Sequence, residues 1–293
     1  MIPICRHFVQ ALALCALAMS VGVPAQAGPR EDLFAMFEQR GANEQEIRLT
    51  YKESDDPAGL EFKLQAIVYR PDVSNGRLVL FSHGSVTSPE EKKVTYRLWP
   101  IAKQFTDQGY TFVIWMRAGR GQSEGEAEEF SGRDCDVVRT DWSLIRNRDQ
   151  MRQVIAQLRE RYDFKQIFLV GHSRGGILSA NYATHYPTGI TAVINLAGAY
   201  NEFCDPYTGN HSWTIVKDSV AFSTQRWIYY TQDTFFSEAY RSTVRDTARM
   251  AGLQYFEIPG HHASPLLKPG WIPGALKWFD SVAKSPVNER TSF

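Results

Sequence analysis

The chain has 293 residues, 43% of them hydrophobic and 22% charged, which is enough apolar content to close one large core and shows no low-complexity bias. Lysine plus arginine and aspartate plus glutamate number 32 each, so no excess charge points to nucleic acid or to an anionic membrane surface, and neither is expected as a partner.

The amino terminus reads as an export signal. Arg6 and His7 form a short basic region, residues 8–23 an apolar one, and Ala25-Gln26-Ala27 a small-residue cleavage site. Gln10 and Ser20 interrupt the apolar stretch, which is short for a bilayer span, so residues 1–27 are expected to be removed and no membrane span to remain. The mature protein is then periplasmic or secreted, with 28–293 as a single domain. Cys5 and Cys15 leave with the signal. Cys135 and Cys204 remain, both in loops after predicted strands, and an even number of cysteines in an oxidising compartment points to a disulfide between them.

Residues 46–52 and 61–69 alternate in polarity as an antiparallel edge pair around the turn-rich 54–59. From there strands and helices alternate: strand 78–82, helix 94–108, strand 111–115, helix 143–161, strand 166–170, helix 177–185, strand 192–196, strand 227–231, helix 237–251, strand 254–258 and helix 273–283. Apolar strands separated by amphipathic helices predict an α/β fold, a mainly parallel sheet with helices on both faces. Sites in such sheets form at the carboxyl ends of the strands. The span 197–226, where a lid would lie, is short, so any cap is small.

Gly171-His172-Ser173-Arg174-Gly175 falls between strand 166–170 and the helix that follows. Glycines two residues either side of a serine allow a strand-to-helix turn too sharp for a Cβ, which exposes the serine hydroxyl at the strand end. A serine needs a base to take its proton and an acid to orient that base. Where the order is serine, acid, histidine, His83, His172, His185 and His211 come too early, which leaves His261 and His262 after the last strand; His262 is the preferred base. Asp233, just beyond strand 227–231, is the preferred acid, with Glu202 and Asp205 in reserve. Backbone amides of Ser85, after strand 78–82, and of Arg174, at the start of the helix after Ser173, are the expected oxyanion donors. Phe203, Tyr207, Trp213, Phe235, Phe236 and Trp271 are candidates to line an acyl pocket.

Phe81-Ser82-His83-Gly84-Ser85, Arg117-Ala118-Gly119-Arg120-Gly121-Gln122-Ser123-Glu124-Gly125, Gly171-His172-Ser173-Arg174-Gly175-Gly176, Asp233 and the late His262 together resemble the α/β-hydrolase superfamily, most closely its dienelactone-hydrolase-like serine esterase branch. The likeness spans nearly the whole mature chain. It implies the α/β-hydrolase fold, cleavage of a small-molecule carboxylic ester through an acyl-enzyme on Ser173, and no metal or organic cofactor. The superfamily also contains peptidases, thioesterases and acyltransferases, and non-catalytic scaffolds that commonly lose a triad member; here candidates for all three members are present.

Overall fold

Because side chains alternate across a strand, an apolar run in a central strand has to feed two cores at once. The computed structural model, which describes residues 37, 39–54, 59–85, 93–126, 137–198 and 211–284, shows this in β3 (Arg77–Ser82). Leu78 and Leu80 enter one buried cluster, and Val79 and Phe81 enter the other. The expected signal at 1–27, Cys135, Cys204, Glu202, Asp205, Phe203 and Tyr207 lie outside the described residues.

The strands are β1 (Glu44–Lys52), β2 (Glu61–Tyr69), β3, β4 (Thr111–Trp115), β5 (Gln166–His172), β6 (Ile190–Leu196), β7 (Gln225–Tyr230) and β8 (Gln254–Ile258). They form one sheet in the order β1-β2-β4-β3-β5-β6-β7-β8. β1 and β2 are antiparallel, as expected for the edge pair, and β2 also runs antiparallel to β4. From β4 to β8 every pairing is parallel. Helices α1 (Trp99–Thr106) and α7 (Ile272–Lys284) cover one face through Ile101, Phe105, Trp278 and Phe279. Helices α2 (Val137–Arg161), α3 (Arg174–His185), α4 (His211–Asp218) and α5 (Glu238–Met250) cover the other through Val154, Ile177, Ile215 and Val244.

Several boundaries differ from those expected. α1 starts at Trp99 rather than at 94, after a left-handed Leu98, because Pro100 lacks an amide hydrogen and fits only the first helical turn. Residues 94–98 are irregular, yet Tyr96, Arg97 and Leu98 are buried. There Arg97 pairs with Glu44 in a nearly buried salt bridge, and Glu44 also accepts from the Tyr69 hydroxyl at 3.0 Å. α2 begins six residues earlier than expected, α3 begins at Arg174, and α4 falls in a span read without structure. The short α6 (Ser264–Leu267) opens on a Ser-Pro pair that suits a helix start.

The exposed edge of β1 is not left unpaired. Gln157 of α2 accepts from the Thr50 amide at 2.8 Å and donates to the Thr50 carbonyl at 2.6 Å. One turn earlier, Gln153 repeats both contacts with Lys52, at 2.9 and 2.7 Å. The i, i+4 spacing of the two glutamines matches alternate residues of the strand, and Arg161 continues the row by donating to the Arg48 carbonyl at 3.1 Å.

At the sheet centre, α3 presses directly on the strands. A Cβ on Gly175 would lie 2.0 Å from the Ser82 carbonyl oxygen, and one on Gly171 would lie 2.0 Å from the Gly175 carbonyl oxygen. Both obstacles are backbone and cannot rotate away. Gly175→Ala is therefore expected to destabilise the domain by about 3 kcal/mol or to prevent folding. Gly274→Ala, in α7 with nothing within 4 Å of the added methyl, should stabilise by about 0.5 kcal/mol. Urea midpoints of the two variants check the contrast, and equal effects would refute it.

Candidate active site

All the loops that matter leave the carboxyl ends of β3, β4, β5, β7 and β8 on one rim. β5 runs two residues further than expected: Gly171 pairs with Asn195 and His172 with Leu196 before the chain turns. Ser173 then adopts φ 54 and ψ −127, a conformation L-residues rarely hold. Its amide donates to the Leu196 carbonyl at 2.9 Å, and its carbonyl accepts from the Gly176 amide at 2.8 Å. The Ser173 side chain makes no capping bond to α3, so it does not serve as an ordinary helix cap. Arg174 opens the helix, and its amide lies at the positive end of the α3 dipole.

Two residues from different loops meet beside this turn. His262 Nδ1 lies 2.7 Å from Asp233 Oδ2, with the carboxylate fully buried and the imidazole 12% exposed. A carboxylate can only accept, so Nδ1 carries the proton and Nε2 is left with its lone pair. The other carboxylate oxygen accepts from the Phe235 amide at 2.8 Å. His261 turns away, with Nδ1 3.1 Å from the Gln232 carbonyl and its amide donating to Ser264 Oγ at 2.7 Å. Of the two candidate histidines, His262 is the one the chain sets against Asp233.

The loop after β3 brings Gly84 to the same place: a Cβ there would lie 3.2 Å from Ser173 Cβ. Ser85 follows, and its hydroxyl accepts from Arg174 Nε at 2.8 Å. Among the aromatic candidates, Phe235 is 72% exposed, and its ring centroid lies 4.4 Å from that of His262. Phe236 is buried and meets His262 edge-on at 5.7 Å. Trp213 packs on the core. Trp271 is buried on the α1 and α7 face, against Phe105, and is core rather than pocket lining.

Sequence reasoning missed two supports. His172, excluded as a base by its position in the chain, donates from Nε2 to the His262 carbonyl at 2.8 Å, and the two rings lie 4.8 Å apart. Arg241 of α5 is buried and donates from Nη1 to the carbonyls of Asp233 at 2.8 Å and Phe236 at 2.6 Å. An arginine eight residues past the candidate acid carries no motif that would single it out. His172 occupied the variable position of the serine turn, which was a usable signal.

Burial, and then the charge of a neighbouring His262, push the His172 pKa down from 6.5 to about 3. It therefore stays neutral across the working pH range and does not compete as a base. Because the folded value lies below the unfolded one, unfolding takes up a proton in between; this contribution to stability is complete above about 6.5 and is lost as the pH falls towards 3. His172→Asn keeps a donor and removes the titration. From pH 7.5 to 4.5 the wild type is expected to lose about 2 kcal/mol more stability than this variant. Urea denaturation at both pH values measures the difference, and equal losses would assign the acid sensitivity elsewhere.

A family model described as serine aminopeptidase, S33, matches residues 77–219. Among solved structures, an esterase of Pyrococcus furiosus is similar over 81% of this chain and 89% of its own, at 12% identity and a TM-score of 0.56. Est1E from Butyrivibrio proteoclasticus, solved with ferulic acid bound, is similar over 81% and 98%, at 16% identity and a TM-score of 0.53. An acylaminoacyl peptidase of Pyrococcus horikoshii is similar over 77% of this chain and 38% of its own, at 16% identity and a TM-score of 0.55. At these identities the structural likeness is one of fold.

Proposed function

The chain belongs to the α/β-hydrolase superfamily, and from that premise we propose that it is a serine hydrolase that cleaves carboxylic esters of modest size. The observation that carries this reading is the 2.7 Å contact between His262 Nδ1 and Asp233 Oδ2, tied by His172 to the turn that exposes Ser173. Ser173 Oγ attacks the acyl carbon while His262 Nε2 takes the hydroxyl proton. Asp233 holds the imidazolium, and the amides of Ser85 and Arg174 receive the oxyanion. The ester C–O bond then breaks, and the alcohol leaves with the proton from Nε2. Water repeats the attack on the acyl-enzyme, frees the acid and restores Ser173. This chemistry needs no metal or organic cofactor.

A fluorophosphonate probe tests the nucleophile. The wild type should label, Ser173→Ala should not, and Asp233→Asn should label about 1,000-fold or more slowly, by analogy with loss of the acid from a serine triad. Labelling of Ser173→Ala at the wild-type rate would refute the assignment.

The S33 model favours a second reading, an aminopeptidase. Recognition of a free amino terminus calls for an anion near the acyl carbon. Among the described candidates Asp233 does not offer it, since its carboxylate is fully buried with one oxygen on His262 and the other on the Phe235 amide. Side-by-side assay of nitrophenyl esters and aminoacyl nitroanilides separates the two: on the esterase reading the ester is favoured by at least about 100-fold in kcat/KM, since an ammonium taken from water without a paired anion costs several kcal/mol. Preference for the nitroanilide would replace the esterase reading.

Export and a Cys135–Cys204 disulfide complete the proposal, on the support of the leader pattern and the cysteine count. Among the described residues no helix is long and apolar enough to cross a membrane.

A further inference from the structure

The segment Arg117 to Gly125 has no part in the reaction just written, yet its first residue reaches the site. Arg117 follows β4 and is 1% exposed, a costly place for a guanidinium unless its donors are used. Nη1 donates to the His83 carbonyl at 2.7 Å, and Nη2 to the Gly84 carbonyl at 3.1 Å. The planar fork thus spans two successive carbonyls of the loop after β3, a match that a lysine could not make. The Gly84 carbonyl takes a second donor, Nδ1 of His83, at 2.7 Å. Because a carbonyl only accepts, this fixes His83 as the Nδ1–H tautomer, and its Nε2 faces the Arg117 amide at 3.4 Å. The His83 ring is itself held by stacking on Tyr96, with centroids 4.8 Å apart.

The consequence follows from peptide geometry. Cis bonds are absent among the described residues, and in a trans peptide the C=O and N–H lie in one plane and point in opposite directions within it. Holding the Gly84 oxygen towards Arg117 and His83 therefore aims the Ser85 N–H the other way. Gly84 is where this loop meets the serine turn, since a Cβ there would stand 3.2 Å from Ser173 Cβ and 3.1 Å from His172 Nδ1. We infer that Arg117, assisted by His83, is a positioning residue that clamps the Gly84–Ser85 peptide with its amide directed at the oxyanion formed on Ser173. The inference rests on the serine-hydrolase reading above. It gives the glycine- and arginine-rich segment after β4 a role in stabilising the transition state, at one remove from the substrate.

The test separates orientation of a donor from general support of the fold. Arg117→Met keeps the stem and removes the fork; Arg117→Lys keeps the charge and can serve one carbonyl. Two inhibitors are compared on the full chain. An alkyl trifluoromethyl ketone adds to the serine and places an oxyanion in the hole, whereas the matching methyl ketone binds without forming one. Arg117→Met is expected to lower kcat about 100-fold with KM within twofold, the scale set by loss of one oxyanion donor. Its inhibition constant should rise about 100-fold for the trifluoromethyl ketone and stay within twofold for the methyl ketone, and Arg117→Lys should recover part of the loss.

Should Arg117→Met fail to fold, His83→Phe carries the same comparison, because it keeps the ring against Tyr96 and removes the donor to Gly84. About a tenfold fall in kcat at constant KM is expected there. A folded variant with kcat within threefold of wild type, or one that weakens both ketones equally, overturns the inference while leaving the enzyme reading intact. A wild-type chain that neither labels with fluorophosphonate nor hydrolyses esters overturns both.

Discussion

Backbone packed against backbone at the centre of the sheet is the constraint from which the candidate site follows. Gly171, Gly175 and Gly176 let α3 begin one residue after Ser173, with approaches that would put added Cβ atoms 2.0 to 2.2 Å from existing atoms. So little slack remains that Ser173 is forced to φ 54, a strain of order 1–3 kcal/mol that only the surrounding sheet can hold. Stability and the geometry of the candidate site share these atoms. The contact that seals the core is also the one that lifts a hydroxyl clear of the strand end.

Around this fixed point, the other groups are held mainly through their carbonyl oxygens. His172 grips the carbonyl of His262, Arg241 those of Asp233 and Phe236, and Arg117 those of His83 and Gly84. Each clamp uses a buried side chain whose polar atoms need partners in any case. Positioning of the site is thereby bound up with the hydrogen-bonding requirements of the interior. The loops after β7 and β8 are further joined by Gln232 N–H to the Gly260 carbonyl at 2.9 Å, so Asp233 and His262 belong to one connected unit.

Much of this was readable in the residues, for identifiable reasons. The edge pair and the parallel strands carry apolar periodicity that tertiary contacts reinforce, and β2, β4 and β8 begin and end where the pattern says. The serine turn was legible because glycine spacing there is dictated by contact distance. The sequence preference for His262 over His261 had no residue pattern behind it, since neighbouring side chains differ only in direction, and direction is set by Gln232 and Ser264. α4 escaped notice because Thr214, Ile215 and Val216 are β-branched and are helical only where Ile215 and Val216 find a place in the core. Trp271 read as a pocket residue because composition does not say which face of the sheet an aromatic ring will cover. The roles of Arg117 and Arg241 were not legible, because each is defined by the main-chain oxygens it meets, and those have no sequence signature.

The two glutamines of α2 laid along β1 bear on the fate of the protein outside its own fold. A sheet that ends in a bare strand offers a template onto which another chain can add, and repeated addition leads to fibrils. By occupying the amides and carbonyls of Thr50 and Lys52, the helix denies those positions to a neighbour, as a final strand would, but with side chains that cannot themselves be extended. Growth at that margin is stopped chemically, and crowding with other unfolded or newly made chains poses correspondingly less hazard there.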